Sequence, residues 1–262
     1  MITRHFVRAS VLALGMTSLA GCTVLADLDD FGPGIPACDE GAENEIRDLW
    51  LVLDAMGMHQ FQRTEVRVVA DGADDNDFLV ALAIIDGLPS ADYTLFMPRA
   101  IPSGAHRVDF FADLNRNGRY DPPSADHAWS LSGCVSGAYR FTHDPAFVDI
   151  DDPAPRPVGG DLTLRLTHFA PHLGDLMEVF VYADDGSDRM VGYYRLAELS
   201  TEDATLIIPG VLEPQADYSV AFYADLSGNK RYDPPEVDHA WLLQGTADAS
   251  GLALEFMHTL QF

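Results

Sequence analysis

The chain has 262 residues with 47% hydrophobic and 22% charged side chains, the balance of a folded globular protein rather than a disordered one. Its net charge is −25, which argues against nucleic acid as a partner because phosphate binding needs clustered cations. Lys230 is the only lysine, so P-loop and Schiff-base chemistry have almost nothing to work with.

Residues 1–21 read as a targeting segment. Arg4, His5 and Arg8 form a positive start, an apolar run through Leu12, Ala13, Leu14 and Met16 comes next, and the run is short for a membrane span. It ends in Leu19-Ala20-Gly21-Cys22, which resembles the lipobox of bacterial lipoproteins. The resemblance implies a lipidated Cys22 as mature N-terminus, and Thr23 in place of Asp implies the outer membrane of a bacterial envelope. An uncleaved apolar helix is the alternative. Removing this segment removes Arg4 and Arg8 and no acid, leaving a still more acidic protein. Cys38 and Cys134 then form an even pair in an oxidising compartment, where a disulfide is expected over two free thiols.

Residues 22–45 form an acidic, Pro/Gly-containing linker between the lipid and the first domain. The rest is a duplication. VDFFADLNRNGRYDPPSADHAWSL (108–131) and VAFYADLSGNKRYDPPEVDHAWLL (220–243) are identical at 16 of 24 positions. Weaker matches extend outward, so residues 46–150 and 161–262 are read as two homologous domains. Between them, DDPAPRPVGG (151–160) is a proline-stiffened linker.

Within the first repeat, alternating or β-rich runs fall at 47–54, 64–70, 77–85, 93–98, 105–112, 127–133 and 138–143, and the second repeats the series. No stretch sustains a helical period. The expectation is an all-β chain of two tandem Greek-key β-sandwich domains of immunoglobulin-like type, with a cupredoxin-like or transthyretin-like sandwich as the close alternative. Trp129 and Trp241 occupy matched strand positions and read as core.

Between the fifth and sixth runs lies an acidic loop with Asp113, Asn115, Asn117, Gly118, Arg119 and Asp121. It resembles the DxNxNG calcium loops of EF-hand and related modules, which implies calcium held by these side-chain oxygens and the Arg119 carbonyl, with Asp126 closing the shell. Pro122-Pro123 forbids the exiting helix of an EF-hand. The second copy offers Asp225, Ser227, Asn229, Arg231, Asp233, Glu236 and Asp238, but Lys230 stands where the first has Gly118, a costly exchange if a positive φ is needed there. An Asx-rich turn without metal is the alternative.

Six histidines fall at matched positions: His59 with His172, His127 with His239, His143 with His258. Three neutral imidazoles in each repeat suit a transition metal such as zinc or copper. A hairpin of the last two strands, turning within 133–137 and 246–250, is expected to make His127 and His143, and His239 and His258, cross-strand neighbours. Asp126 and Asp238 are placed to act as ligands or to orient the adjoining ring. His106 and His168 are unmatched and read as surface or packing residues.

No G-x-S-x-G or H-E-x-x-H occurs, and acidic pairs arise by chance in so acidic a chain, so a non-enzymatic role is expected. The leading expectation is a lipid-anchored envelope protein that binds metal ions. The alternatives are a calcium-stabilised structural or adhesive module, and a metal-dependent enzyme.

Overall fold

The computed structural model describes residues 45–71, 77–133, 136–151, 156–157 and 159–259. The first repeat contributes β1 (Arg47–Asp54), β2 (Thr64–Ala70), β3 (Phe78–Asp86), β4 (Tyr93–Ile101), β5 (His106–Ala112), β6 (His127–Ser132) and β7 (Ala138–Thr142). A two-residue strand, β8 (Arg156–Pro157), comes next. The second repeat contributes β9 (Gly160–Thr167), β10 (Leu176–Ala183), β11 (Met190–Leu196), β12 (Ala204–Leu212), β13 (Asp217–Asp225), β14 (His239–Thr246) and β15 (Gly251–Met257). Helical structure among the described residues is confined to two 3-10 turns, Gly57–His59 and Ala170–His172. The chain is all-β, with strands where the β-rich runs lie.

Each repeat pairs its strands into two layers. In the first, β4-β1-β7 packs on β3-β2-β5-β6; in the second, β12-β9-β15 packs on β11-β10-β13-β14. The partition differs from the immunoglobulin one, which groups the first strand with the second, fifth and fourth. Here the first strand lies between the fourth and the seventh. The cause is a parallel pairing of first and last strands, Trp50 opposite Ala138 through Asp54 opposite Thr142, and Gly251 opposite Asp161 through Met257 opposite Thr167.

A matched glycine permits that pairing. A Cβ on Gly137 would lie 2.1 Å from the Asp48 carbonyl oxygen, and one on Gly251 would lie 2.1 Å from that of Asp161. Both residues have positive φ, 74° and 114°.

The two large layers are not separate. β3 and β11 pair in parallel, Leu82 opposite Gly192 through Asp86 opposite Leu196, so both layers form one sheet in the order β14-β13-β10-β11-β3-β2-β5-β6, with β8 added beside β3. The small layers cover opposite faces of it. Ala81, Ala83 and Ile85 of β3 point into the core beneath β4-β1-β7, whereas Leu82 and Ile84 point into the core beneath β12-β9-β15. β3 therefore reads FLVALAIID, nearly continuous in apolar residues, because neither face meets water. Where the first core reaches over the second repeat it meets a buried polar cluster around Glu178. Glu178 accepts hydrogen bonds from Tyr193 (2.6 Å) and Tyr223 (2.8 Å) and pairs with Arg195 at 3.2 Å. Burial holds its carboxyl above the usual range.

Candidate metal centres

His59 ends the first 3-10 turn, where its N–H donates to the Met56 carbonyl at 2.8 Å. His172 ends the second and donates in the same way to Phe169, also at 2.8 Å. Both rings are buried, 1% and 0% exposed. Each is oriented from behind by the residue three positions on. His59 donates through Nδ1 to Gln62 Oε1 at 2.9 Å, and His172 through Nδ1 to Asp175 Oδ2 at 3.2 Å. That contact fixes the tautomer and leaves Nε2 as a lone-pair donor.

The other two rings converge on that nitrogen. In the first repeat His143 Nε2 is 3.2 Å and His127 Nδ1 is 3.4 Å from His59 Nε2. In the second, His258 Nε2 is 3.1 Å and His239 Nδ1 is 3.3 Å from His172 Nε2. In each trio the three nitrogens all lie within 4.8 Å of one another. A tetrahedral ion bound at about 2.0–2.1 Å sets its nitrogens about 3.3–3.4 Å apart. In both trios the two distances to the buried ring's Nε2 match that spacing and involve the same atoms, so both are groups that could hold a metal ion. A tetrahedral ion on three such ligands keeps one position open.

The expected trios are thus assembled, but not by a hairpin. β6 pairs with β5, β14 pairs with β13, and β7 and β15 lie in the opposite layers beside β1 and β9. The ring of His127 or His239, at the start of its strand, meets that of His143 or His258, just past the end of the last strand, across the mouth of the sandwich. The last strand is carried there by its parallel pairing: His143 N–H donates to Asp54 O at 3.0 Å, and His258 N–H to Thr167 O at 2.9 Å.

Aromatic side chains wall the trios. The Trp129 centroid lies 5.5 Å from His59 and from His143, edge on, and Trp241 lies 5.5 Å from His172. Trp129 is core, as expected, and also floors the site, whereas Trp241 is only half-buried against the second core. Phe147 stacks on His127 at 3.8 Å and 16°. Burial lowers the pKa values of His59, His127, His172, His239 and His258, with neighbouring imidazoles adding to the effect at all but His239. Each shift favours the neutral imidazole, the form that ligates a cation.

The acidic loops carry the central histidine of each trio. Asp113, 1% exposed, accepts the N–H of Asn117 (3.2 Å) through Oδ1 and that of Gly118 (2.8 Å) through Oδ2. Asn115 and Asn117 both donate to Asp121, whose carboxyl is held below its usual range by those bonds. Arg119 lends its N–H to Asn117 Oδ1 at 3.0 Å. In the second loop Asp225 accepts from Ser227 (2.9 Å), Gly228 (2.7 Å) and Lys230 (2.7 Å), Asn229 donates to Asp233 (2.7 Å), and Arg231 lies 3.8 Å from Asp233. Glu236 is exposed.

Asp126 and Asp238 are both 0% exposed, and their carboxylates accept backbone N–H groups of the loop. Asp126 accepts the N–H of Leu114 (2.9 Å) and Asp121 (2.8 Å), and Asp238 those of Leu226 (3.0 Å), Ser227 (3.2 Å) and Asp233 (2.8 Å). They pin the loop, and with it His127 and His239. Gln62 and Asp175 do the orienting; their spacing from the matched histidine was the available signal.

Each loop has two left-handed residues, at its fourth and sixth positions. They are Arg116 (φ 60°) and Gly118 (φ 78°) in the first, Gly228 (φ 70°) and Lys230 (φ 68°) in the second. Lys230 does carry the strain expected of it, while Gly228 relieves the position where the first loop strains Arg116. His106 is a packing residue, bonded to the Gly104 carbonyl and to Tyr139, each at 3.0 Å. Cys22, Cys38 and Cys134 lie outside the described residues.

No protein-family model and no curated protein matches the chain. Among solved structures it has weak likeness to a leucine-rich repeat protein from Bacteroides thetaiotaomicron, at TM-score 0.22 and 11% identity over 82% of this chain and 26% of that one. It also has weak likeness to the tip fimbrial protein Mfa3 from Porphyromonas gingivalis, at TM-score 0.24 and 9% identity over 76% and 81% of the two chains. The chain thus spans about a quarter of the first, and likeness at this level carries no argument about function.

Proposed function

We propose that this protein is a lipid-anchored, non-enzymatic metal-binding protein of the bacterial outer membrane, with one transition-metal ion, zinc or copper, on the three histidines of each repeat. The observation that carries the reading is the pair of trios in which the same two nitrogens approach the buried ring's Nε2 to 3.1–3.4 Å on backgrounds that have otherwise diverged. Neutral imidazole suits either metal. Metal analysis of tag-free protein titrated with zinc and copper tests it. Two equivalents are expected, falling to none in the double variant His59→Ala/His172→Ala; no tight binding, or binding unchanged in that variant, refutes it. For the anchor, which rests on Leu19-Ala20-Gly21-Cys22, Cys22→Ala is expected to leave an unprocessed precursor.

Calcium in the acidic loops is the second reading, supported by Asp113, Asn115, Asn117 and Asp121 being drawn together within one turn. Calcium would have to replace N–H donors that these oxygens already hold. A rise in melting temperature on adding calcium, abolished by Asp113→Ala, is its signature.

A further inference from the structure

The two trios match in ligand type, donor atom and spacing, and they differ in what stands behind the buried ring. Gln62 presents a neutral amide oxygen to His59 Nδ1 at 2.9 Å, and Asp175 presents a carboxylate oxygen to His172 Nδ1 at 3.2 Å. Asp126 and Asp238 adjoin the central rings equally in both repeats, so their charges do not distinguish the trios. Trp129 and Trp241 both lie 5.5 Å from the buried ring, while the remaining apolar wall is Phe147 on His127 in the first trio and Phe169 on His172 and His258 in the second.

A carboxylate behind a ligating imidazole draws on its N–H, makes the opposite nitrogen a stronger donor, and adds a negative charge near a bound cation. An amide fixes the ring and does neither. We propose that Asp175 makes the second repeat the tighter of two unequal metal sites, so that divalent metal loads at His172, His239 and His258 before His59, His127 and His143. The inference rests on the metal-binding reading above.

The size of the difference is set by the surroundings of Asp175. Changing an orienting partner of a metal-bound histidine shifts metal affinity by about 10–100-fold. The Asp175 side chain is 25% exposed. It lines a cleft of about 340 Å³ between the repeats, together with Arg195 and Lys230. Arg195 is already paired with Glu178, and Lys230, Asp225 and solvent share the cleft with Asp175 and moderate its field. The lower end applies, about tenfold.

Cobalt(II) titration of the full, tag-free chain, followed by visible absorption, tests this. Two phases are expected, separated by about tenfold in Kd. The tight phase disappears in His172→Ala and the weak one in His59→Ala. Asp175→Asn keeps an acceptor for Nδ1 and is expected to merge the phases, with the melting temperature of the metal-free protein nearly unchanged. Gln62→Glu is expected to tighten the first site, an effect that a merely structural role for Asp175 would not produce at the other repeat. Two equal sites in the native chain, or two phases persisting in Asp175→Asn, overturn the inference while leaving metal binding intact. Absence of any cobalt binding overturns the metal-binding reading and this inference with it.

Discussion

Gly251 and Asp161 meet where a side chain has no room: a Cβ on the glycine would stand 2.1 Å from the aspartate carbonyl oxygen, on a backbone with φ 114°. This contact starts the parallel pairing of β15 with β9 that delivers His258 to the second trio. Gly251→Ala is therefore expected to cost at least about 2 kcal/mol, since both the contact and the left-handed φ are violated. Metal titration of the variant should lose the second site and keep the first. Equal loss at both would mean that the pairing does not position His258.

Asp126 holds the first acidic loop from inside, through two backbone N–H groups. Asp126→Ala leaves both without an acceptor in a buried place, a loss of about 3 kcal/mol measurable by denaturant unfolding. The same variant should weaken metal binding at the first trio, because His127 is the next residue. Added calcium should not restore either property.

Acid should unfold the metal-free protein through the histidines. Five of the six trio imidazoles have pKa values below the ordinary 6.5. A depressed imidazole takes up its proton more readily in the unfolded chain, so its contribution is complete above the unfolded value and is lost as pH falls through the depressed one. Denaturant midpoints should fall as pH drops through about 6.5 and below, and less steeply in His59→Ala/His172→Ala. The raised carboxyls of Glu178 and Asp109 act in the opposite sense and are common to both proteins, so the difference isolates the imidazoles. Bound metal should leave over the same range.

Leu82 belongs to the first repeat by sequence and to the second core by packing, where it is 1% exposed. Leu82→Ala is expected to cost about 2–5 kcal/mol. Calorimetry should show a single transition that moves as a whole. Two transitions, with only the first displaced, would contradict the shared sheet.

The strands and the histidines were legible for different reasons. Alternation placed β1 at 47–54 and β2 at 64–70, where the structure has them, because a half-buried strand must alternate. Alternation reports faces and not partners, so the pairing of β7 with β1 was hidden, and the hairpin that was to unite His127 with His143 does not form. The trios were found by matching the repeats. Gln62 and Asp175 escaped the same comparison because a carboxylate replaces an amide, two different residues doing one job. The join between the layers left a trace in FLVALAIID, whose lack of alternation marks a strand with protein on both sides.

That join has a consequence for how such a chain evolves. A sandwich borrowed alone would present β3 or β11 as a bare edge with a greasy reverse side, an invitation to pair with any passing strand. The duplicated halves have given up portability: neither can be shuffled into another protein as a cassette, and a lesion in one is inherited by both. Their histidines have nonetheless survived in duplicate, on a scaffold that no longer comes apart.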